Sequence, residues 1–342
     1  MKIKRQELVD ILAAVRPGLA KKAIIEQATH FIITGNEIVT YNDRVCVSHP
    51  FKTDFSCSVS AEELYKILVG ISHEEIDIQY KNQKIYIRGK GLDAGLTTSA
   101  IDDIVKKVES LKINEAAIQK TSLPENFVEA INMCIFSTSK DLTNVGMTCL
   151  LLEDEYIAST DDLRISEYKM KSKIDCSILL PVVAAIELVR YNIKEYCLID
   201  SWVYFFDASN TCFCARLVRA DFPEYKPFME GFNDQKIQFP DNIIQMIETT
   251  SILASGETEQ DKEVEIEIVK GMLKIKSKNN IGWIENEIEI SNANFDNSIQ
   301  FAINPFFMAK IMNHTKTMFY GGNKALFQSG EFRHVIALRA QE

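Results

Sequence analysis

Leu123-Pro124-Glu125-Asn126-Phe127-Val128-Glu129-Ala130-Ile131 has two counterparts in the same chain. One is Lys4-Arg5-Gln6-Glu7-Leu8-Val9-Asp10-Ile11-Leu12, and the other is Phe239-Pro240-Asp241-Asn242-Ile243-Ile244-Gln245-Met246-Ile247. In each, apolar residues recur at three- and four-residue steps, as on one helix face. Pro124 and Pro240 stand where a first helical turn is expected, and a proline there gives up no intrahelical hydrogen bond. A second set lies between them: Val59-Ser60-Ala61-Glu62-Glu63-Leu64, Leu180-Pro181-Val182-Val183-Ala184-Ala185, and Ile303-Asn304-Pro305-Phe306-Phe307-Met308. Ser60 and Asn304 read as N-caps. From Glu7 to Glu125 is 118 residues and from Glu125 to Asp241 is 116. From Ser60 to Pro181 is 121, and from Pro181 to Asn304 is 123. Two independent markers thus recur at a third of a 342-residue chain, which predicts three copies of one unit.

Between these helices the pattern has period two. Ile76-Asp77-Ile78-Gln79-Tyr80, Lys84-Ile85-Tyr86-Ile87-Arg88, Val264-Glu265-Ile266-Glu267-Ile268 and Leu273-Lys274-Ile275-Lys276 alternate as half-buried antiparallel strands do. Thr34-Gly35-Asn36 and Asp207-Ala208-Ser209-Asn210 are turn signals. Each copy reads as helix, strands, helix, strands. That is an α+β domain with two helices packed on an antiparallel sheet. The expected boundaries, near Asn114–Lys120 and at Glu230-Gly231, give domains 1–118, 119–230 and 231–342.

Composition narrows the class. The chain is 46% hydrophobic and 25% charged, ordinary for a globular protein with sizeable cores. It holds no run long and apolar enough for a membrane span, and Met1 to Leu12 lacks a signal-peptide core. A soluble, cytoplasmic protein is expected. Eight cysteines form no C-x-x-C pair and have no histidines at zinc-ligand spacing, so they read as buried reduced thiols. The net charge of -10 argues against a tight nucleic-acid binder unless the cations gather on one surface.

Catalytic motifs are missing from the sequence: there is no phosphate-binding G-x-x-x-x-G-K-[ST], no G-x-G-x-x-G, no H-E-x-x-H and no G-x-S-x-G. Tyr320-Gly321-Gly322-Asn323-Lys324 lacks phosphate-loop spacing and reads as a turn between strands. Cys46 and His49, at i and i+3 of a strand-like run, point to opposite faces. Asp161-Asp162 and Glu153-Asp154-Glu155 read as hydrated turns, and Cys212-x-Cys214 as one packed strand face. No catalytic residue, metal or cofactor is expected.

Several segments, in order, resemble the bacterial DNA polymerase III beta subunit, the beta sliding clamp family. They are Ala158-Ser159-Thr160-Asp161-Asp162-Leu163-Arg164-Ile165, Leu180-Pro181 with Ala185-Ile186-Glu187-Leu188, Asp221-Phe222-Pro223-Glu224-Tyr225, and Val335-Ile336-Ala337-Leu338-Arg339. The resemblance covers essentially the whole chain. It implies three tandem clamp-type domains, two chains of which close head-to-tail as a C2 ring that encircles double-stranded DNA. It places Leu96 on one side of the dimer contact and Ile252 and Leu253 on the other. It implies no enzymatic activity, and it implies partners: a DNA polymerase and a clamp loader. Sequence-independent DNA contacts fall to Arg16, Lys21, Lys22, Lys66, Lys140, Arg190, Lys194, Lys310 and Lys316, with Arg16–Lys22 as the basic loop after the first helix. The family's groove for partner peptides, between the middle and last domains, maps to Thr160, Leu163, Arg164, Ile165, Pro181, Ala185, Val335, Ile336, Ala337, Leu338 and Arg339.

The match departs from the family in places. Asp162 stands where Gly is usual, Leu163 where His is usual, Ala337 replaces a Pro, and Pro305 stands where a Tyr often gates the groove. The chain runs on past Arg339 through Ala340-Gln341-Glu342. These changes fit a divergent clamp, phage- or plasmid-encoded, matched to its own polymerase. Two other readings stay open from sequence: a monomeric clamp-fold adaptor or decoy for replication proteins, and a hydrolase with an unrecognised site.

Overall fold

The computed structural model describes residues 1–22, 26–99, 101–111, 118–232, 236–259, 261–290 and 298–339. Residues 114–117 of the expected first boundary, and Ala340–Glu342, lie outside this set. The first third runs β1 (Lys2–Lys4), α1 (Arg5–Val15), β2 (His30–Ile33), β3 (Glu37–Tyr41), β4 (Val45–Pro50), β5 (Cys57–Ser60), α2 (Ala61–Gly70), β6 (Glu75–Lys81), β7 (Lys84–Gly89) and β8 (Leu92–Ser99). A linking helix follows, α3 (Asp102–Ser110). The middle third runs β9 (Thr121–Ser122), α4 (Phe127–Cys134), β10 (Cys149–Thr160), β11 (Arg164–Pro181), α5 (Val182–Leu188), β12 (Ile193–Ile199), β13 (Trp202–Asp207) and β14 (Cys212–Arg216). The last runs β15 (Lys236–Gln238), α6 (Ile243–Ser251), β16 (Val264–Val269), β17 (Met272–Lys278), β18 (Trp283–Glu289), β19 (Ile299–Ile303), α7 (Pro305–Met312), β20 (Thr317–Tyr320), β21 (Lys324–Ser329) and β22 (Phe332–Ala337).

One pairing scheme repeats. The strand before each first helix pairs with the strand after each second helix: β1 with β6, β9 with β12, β15 with β20. A three-strand meander follows each time. Between the helices lie four strands in the first and last thirds. In the middle third, register shifts at Glu153–Tyr156 bend β10 and β11, so that each serves as two strands. The fold is α+β with antiparallel sheets throughout.

The alternating segments become β6, β7, β16 and β17, with isoleucines and leucines on the buried face. Helix capping follows sequence at Asn304, whose side chain accepts hydrogen bonds from the Phe306 and Phe307 amides at 3.0 and 3.1 Å. Ser60 sits at the start of α2 but donates to Glu63 instead of accepting from the backbone. Pro124 and Pro240 lie one turn upstream of their helices. Their carbonyls accept from the amides of Phe127 and Ile243, so they set the entry turn and not the first helical turn.

Packing divides the chain into two compact units, Met1–Val128 with Val183–Val218, and Glu129–Val182 with Arg219–Glu342. The middle third is shared because its strands extend a sheet in each. In the first unit β14 pairs with β4, and in the second β22 pairs with β11. In the first unit Ile104 and Val108 of α3 cover a core of Cys46, Cys197, Trp202, Tyr204, Phe206 and Cys214. None of the eight cysteines is disulfide-bonded, and six are buried. The second unit's main core joins α6 and α7 to β16, β17, β19 and β21, through Ile243, Ile247, Phe301, Met308 and Phe327. No helix among the described residues is long and apolar enough to cross a membrane.

In these inter-third pairings, the third strand of a four-strand set (β4, or the first half of β11) meets the last strand of a meander (β14 or β22). By that count the last third's β18 and the first third's β8 are left over. Among the described residues, β18 is the edge of its sheet, and β8 meets β5 through Thr98 and Ser99 alone.

Candidate functional site

The second unit gathers polar and aromatic groups at the start of β11. A turn through Asp162, at φ 70°, feeds the strand. A left-handed residue favours Gly, and Asp is among the few others that tolerate it. Asp161 accepts hydrogen bonds from the Leu163 and Arg164 amides at 3.3 and 3.2 Å, and pairs with Arg164 Nε at 2.9 Å. Thr160 Oγ1 donates to the Arg164 carbonyl at 2.9 Å. The guanidinium lies 3.9 Å from the centre of the Phe307 ring and 5.5 Å from that of Phe136. Its side chain is buried, and Nη1 has no hydrogen-bond partner. Burial pushes the Asp161 carboxyl up, outweighing the opposing pull of Arg164.

Phe136 is stacked between two imidazoles, with His314 and His334 each 5.1 Å away. His334 Nδ1 lies 2.9 Å from Ser166 Oγ, which lies 2.7 Å from Ser137 Oγ. Burial, then the charges of Arg164 and His314, hold His334 well below the usual histidine range. This Ser–His pair is fully enclosed, so it offers a substrate no surface. In the first unit Cys46 is a core residue, and His49 lies 2.9 Å from Thr211 Oγ1.

Next to Arg164, Ile165 and Val335 belong to a small core with Ala158, Tyr225, Met229 and Leu326, against which Phe222, Phe232 and Phe319 pack half-buried. Leu163 and Phe228 stand out at 49% and 58% exposed. Ile336 and Leu338 are buried in the main core of the unit. Exposed Ala337 donates from its amide to the Leu163 carbonyl at 2.8 Å, and Arg339 pairs with Glu263 at 2.6 Å. Pro181 ends the strand that Arg164 begins. Ala185 is fully buried in the first unit. Pro305 is buried at the start of α7, and Phe307, two residues on, reaches Arg164. Sequence reading missed Phe307, Phe136 and Phe228. A signal for Phe228 was present, since it follows the Phe-Pro-Glu-Tyr segment by three residues.

Of the candidate DNA cations, Arg16, Lys21 and Arg190 line one concavity of the first unit, joined by Arg44, which sequence reading did not single out. Arg16 sits 4.6 Å over the Tyr65 ring, and Arg190 pairs with Glu187 at 2.8 Å. A hydrogen bond of 2.5 Å from the Tyr191 hydroxyl to the Ala14 carbonyl ties the segment after α5 to α1. Lys22 and Lys194 are exposed, while Lys66 is paired with Glu62. In the second unit Lys316 is paired with Asp241. Burial, then the charges of Arg164 and Lys140, lower the Lys310 ammonium. Of the candidate dimer residues, Leu96 is half-buried on β8 and Leu253 half-buried beyond α6. Ile252 is 70% exposed, and Ile281 and Trp283, at the start of the β18 edge, are 88% and 70% exposed.

No family model matches the chain, and no curated protein matches it. Solved structures do. The DNA polymerase III subunit beta of Pseudomonas aeruginosa superposes with a TM-score of 0.84 at 16% identity, over 99% of this chain and 100% of that one. The beta subunit of Thermotoga maritima gives 0.85 at 16%, over 100% and 99%. The DNA polymerase sliding clamp of Bacillus subtilis gives 0.84 at 15%, over 100% and 99%. The chain has the sliding-clamp fold. Identity to these structures is only 15–16%, while the superposition spans the chain from end to end.

Proposed function

We propose that the chain is a DNA sliding clamp: a non-catalytic processivity factor that forms a ring as a head-to-tail homodimer, encircles duplex DNA and tethers a DNA polymerase. The observation that carries this reading is the likeness to solved DNA polymerase III beta subunits, which spans both chains from end to end. The unused edges of β8 and β18 support closure. The same two strand positions pair inside the chain, as β14 with β4 and as β22 with β11, so a second copy supplies the missing partners. Exposed Ile252, Ile281 and Trp283 near the β18 edge would be covered by that contact, with Leu96 on the other side. The three domains would be 1–118, 119–230 and 231–342.

DNA would be held by cations such as Arg16, Lys21, Lys22, Arg190, Lys194, Lys140 and Lys310, through sequence-independent phosphate contacts that weaken with salt. Partner peptides from polymerase and clamp loader would dock beside Arg164, over Leu163, Phe228 and Phe307. The expected compartment is the cytoplasm. Retention on DNA tests the reading: loaded by a clamp loader with ATP, the protein should stay on nicked circular DNA and run off once the circle is cut. Equal retention on circular and linear DNA would refute encirclement.

A further inference from the structure

The concavity in the first unit carries a surface that phosphate contacts alone leave unexplained. Its volume is about 920 Å³. Arg16, Lys21, Arg44 and Arg190 bring four cations to it against one carboxylate, Glu187, in a chain whose net charge is -10. Its wall is aliphatic. Val183 and Ile186 stand at i and i+3 of α5, on one helix face, and are 46% and 43% exposed. Branched aliphatics presented together inside a cationic rim mark a surface that something covers.

We propose that this concavity docks an acidic peptide segment of a partner protein, which seats an aliphatic side chain on Val183 and Ile186 and sets carboxylates against Arg16, Arg44 and Arg190. Charge complementarity favours an anionic occupant. A duplex presents phosphates outward and would leave the aliphatic wall wet. The lining has no aromatic ring on which an unpaired base could stack. Guanidinium groups match carboxylates in fork geometry, and two of these are held in place before binding, Arg16 by the Tyr65 ring and Arg190 by Glu187. Preset side chains cost less order on binding. The inference goes beyond the clamp reading: it needs no ring, and it concerns a different unit from the one that holds Arg164. Three of its cations are also DNA candidates, so duplex DNA is the rival occupant.

Fluorescence anisotropy on the full chain tests it with two probes. One is a labelled peptide with leucines flanked by aspartates and glutamates; the other is a labelled short DNA duplex. The peptide should bind saturably. The double substitution Val183→Ser with Ile186→Ser, and separately Arg44→Glu, should each weaken it about tenfold or more, and the serine pair should leave duplex binding unchanged. Both serine positions are exposed, and a thermal unfolding scan verifies that the fold survives. No peptide binding would overturn the proposal. So would equal binding of a peptide with its leucines replaced by serine, or peptide affinity indifferent to the serine pair. Binding of the duplex alone, weakened by Arg44→Glu, would give the concavity to DNA; that also overturns the proposal and leaves the clamp reading intact.

Discussion

Arg164 carries a charge that has lost its water, and Asp161 at 2.9 Å with two aromatic faces replaces it. Removing one member of a buried pair strands the other, so Arg164→Ala should cost about 3 kcal/mol in urea unfolding, far more than a surface ion pair. A midpoint equal to the unmodified chain's would show that the pair anchors nothing. Lys22 is the opposite case, exposed and without an ion pair among the described residues. Lys22→Ala should leave stability unchanged and lower the slope of DNA affinity against salt by about one. An unchanged slope would remove Lys22 from the DNA surface. Residue types were legible where the chemistry is local. Asn304 caps as its side chain requires, and Asp162 takes the left-handed turn that a glycine would. Phe307 and Phe136 were not, because whether an aromatic is buried or presented depends on strands far along the chain.

β22 carries His334 against β11, where Ser166 meets its Nδ1 with Ser137 behind, Phe136 stacks on the ring, and Nε2 is buried without a partner among the described residues. The folded chain holds this imidazole neutral, with a pKa below its unfolded value of about 6.5. Above that pH both states leave it unprotonated and the stability is fully present. As pH falls below it, the unfolded chain takes up a proton that the folded chain refuses, so stability is lost. His49 and His314 are lowered as well, and act in the same direction. The urea midpoint should therefore drop between about pH 7 and pH 5, and His334→Gln should flatten part of that drop; an unaltered pH slope would clear His334 of the effect. At this scale the hairpins were legible, since alternation in β6, β7, β16 and β17 is a local pattern. The pairings of β4 with β14 and β11 with β22 were not, because each joins segments about half a chain apart with no turn between them to set register. The bent β10 and β11 hid the middle copy's four strands, since the bend lies inside each continuous strand.

At the scale of the whole molecule, the repeat leaves one edge over at each end of its series, and Ile252, Ile281 and Trp283 are exposed at the β18 end. Ile252 and Trp283 are large and apolar and stand 70% exposed, which a chain acting alone has no reason to keep. Ile252→Asp with Trp283→Asp should halve the mass in solution and leave the circular dichroism unchanged; a dimer that persists would move the contact elsewhere. The account rests on two copies joining through these edges. Light scattering of the unmodified chain across a range of concentrations tests that most directly. It should give twice the 38.9 kDa of one chain, and a mass of 38.9 kDa at every concentration would contradict the account.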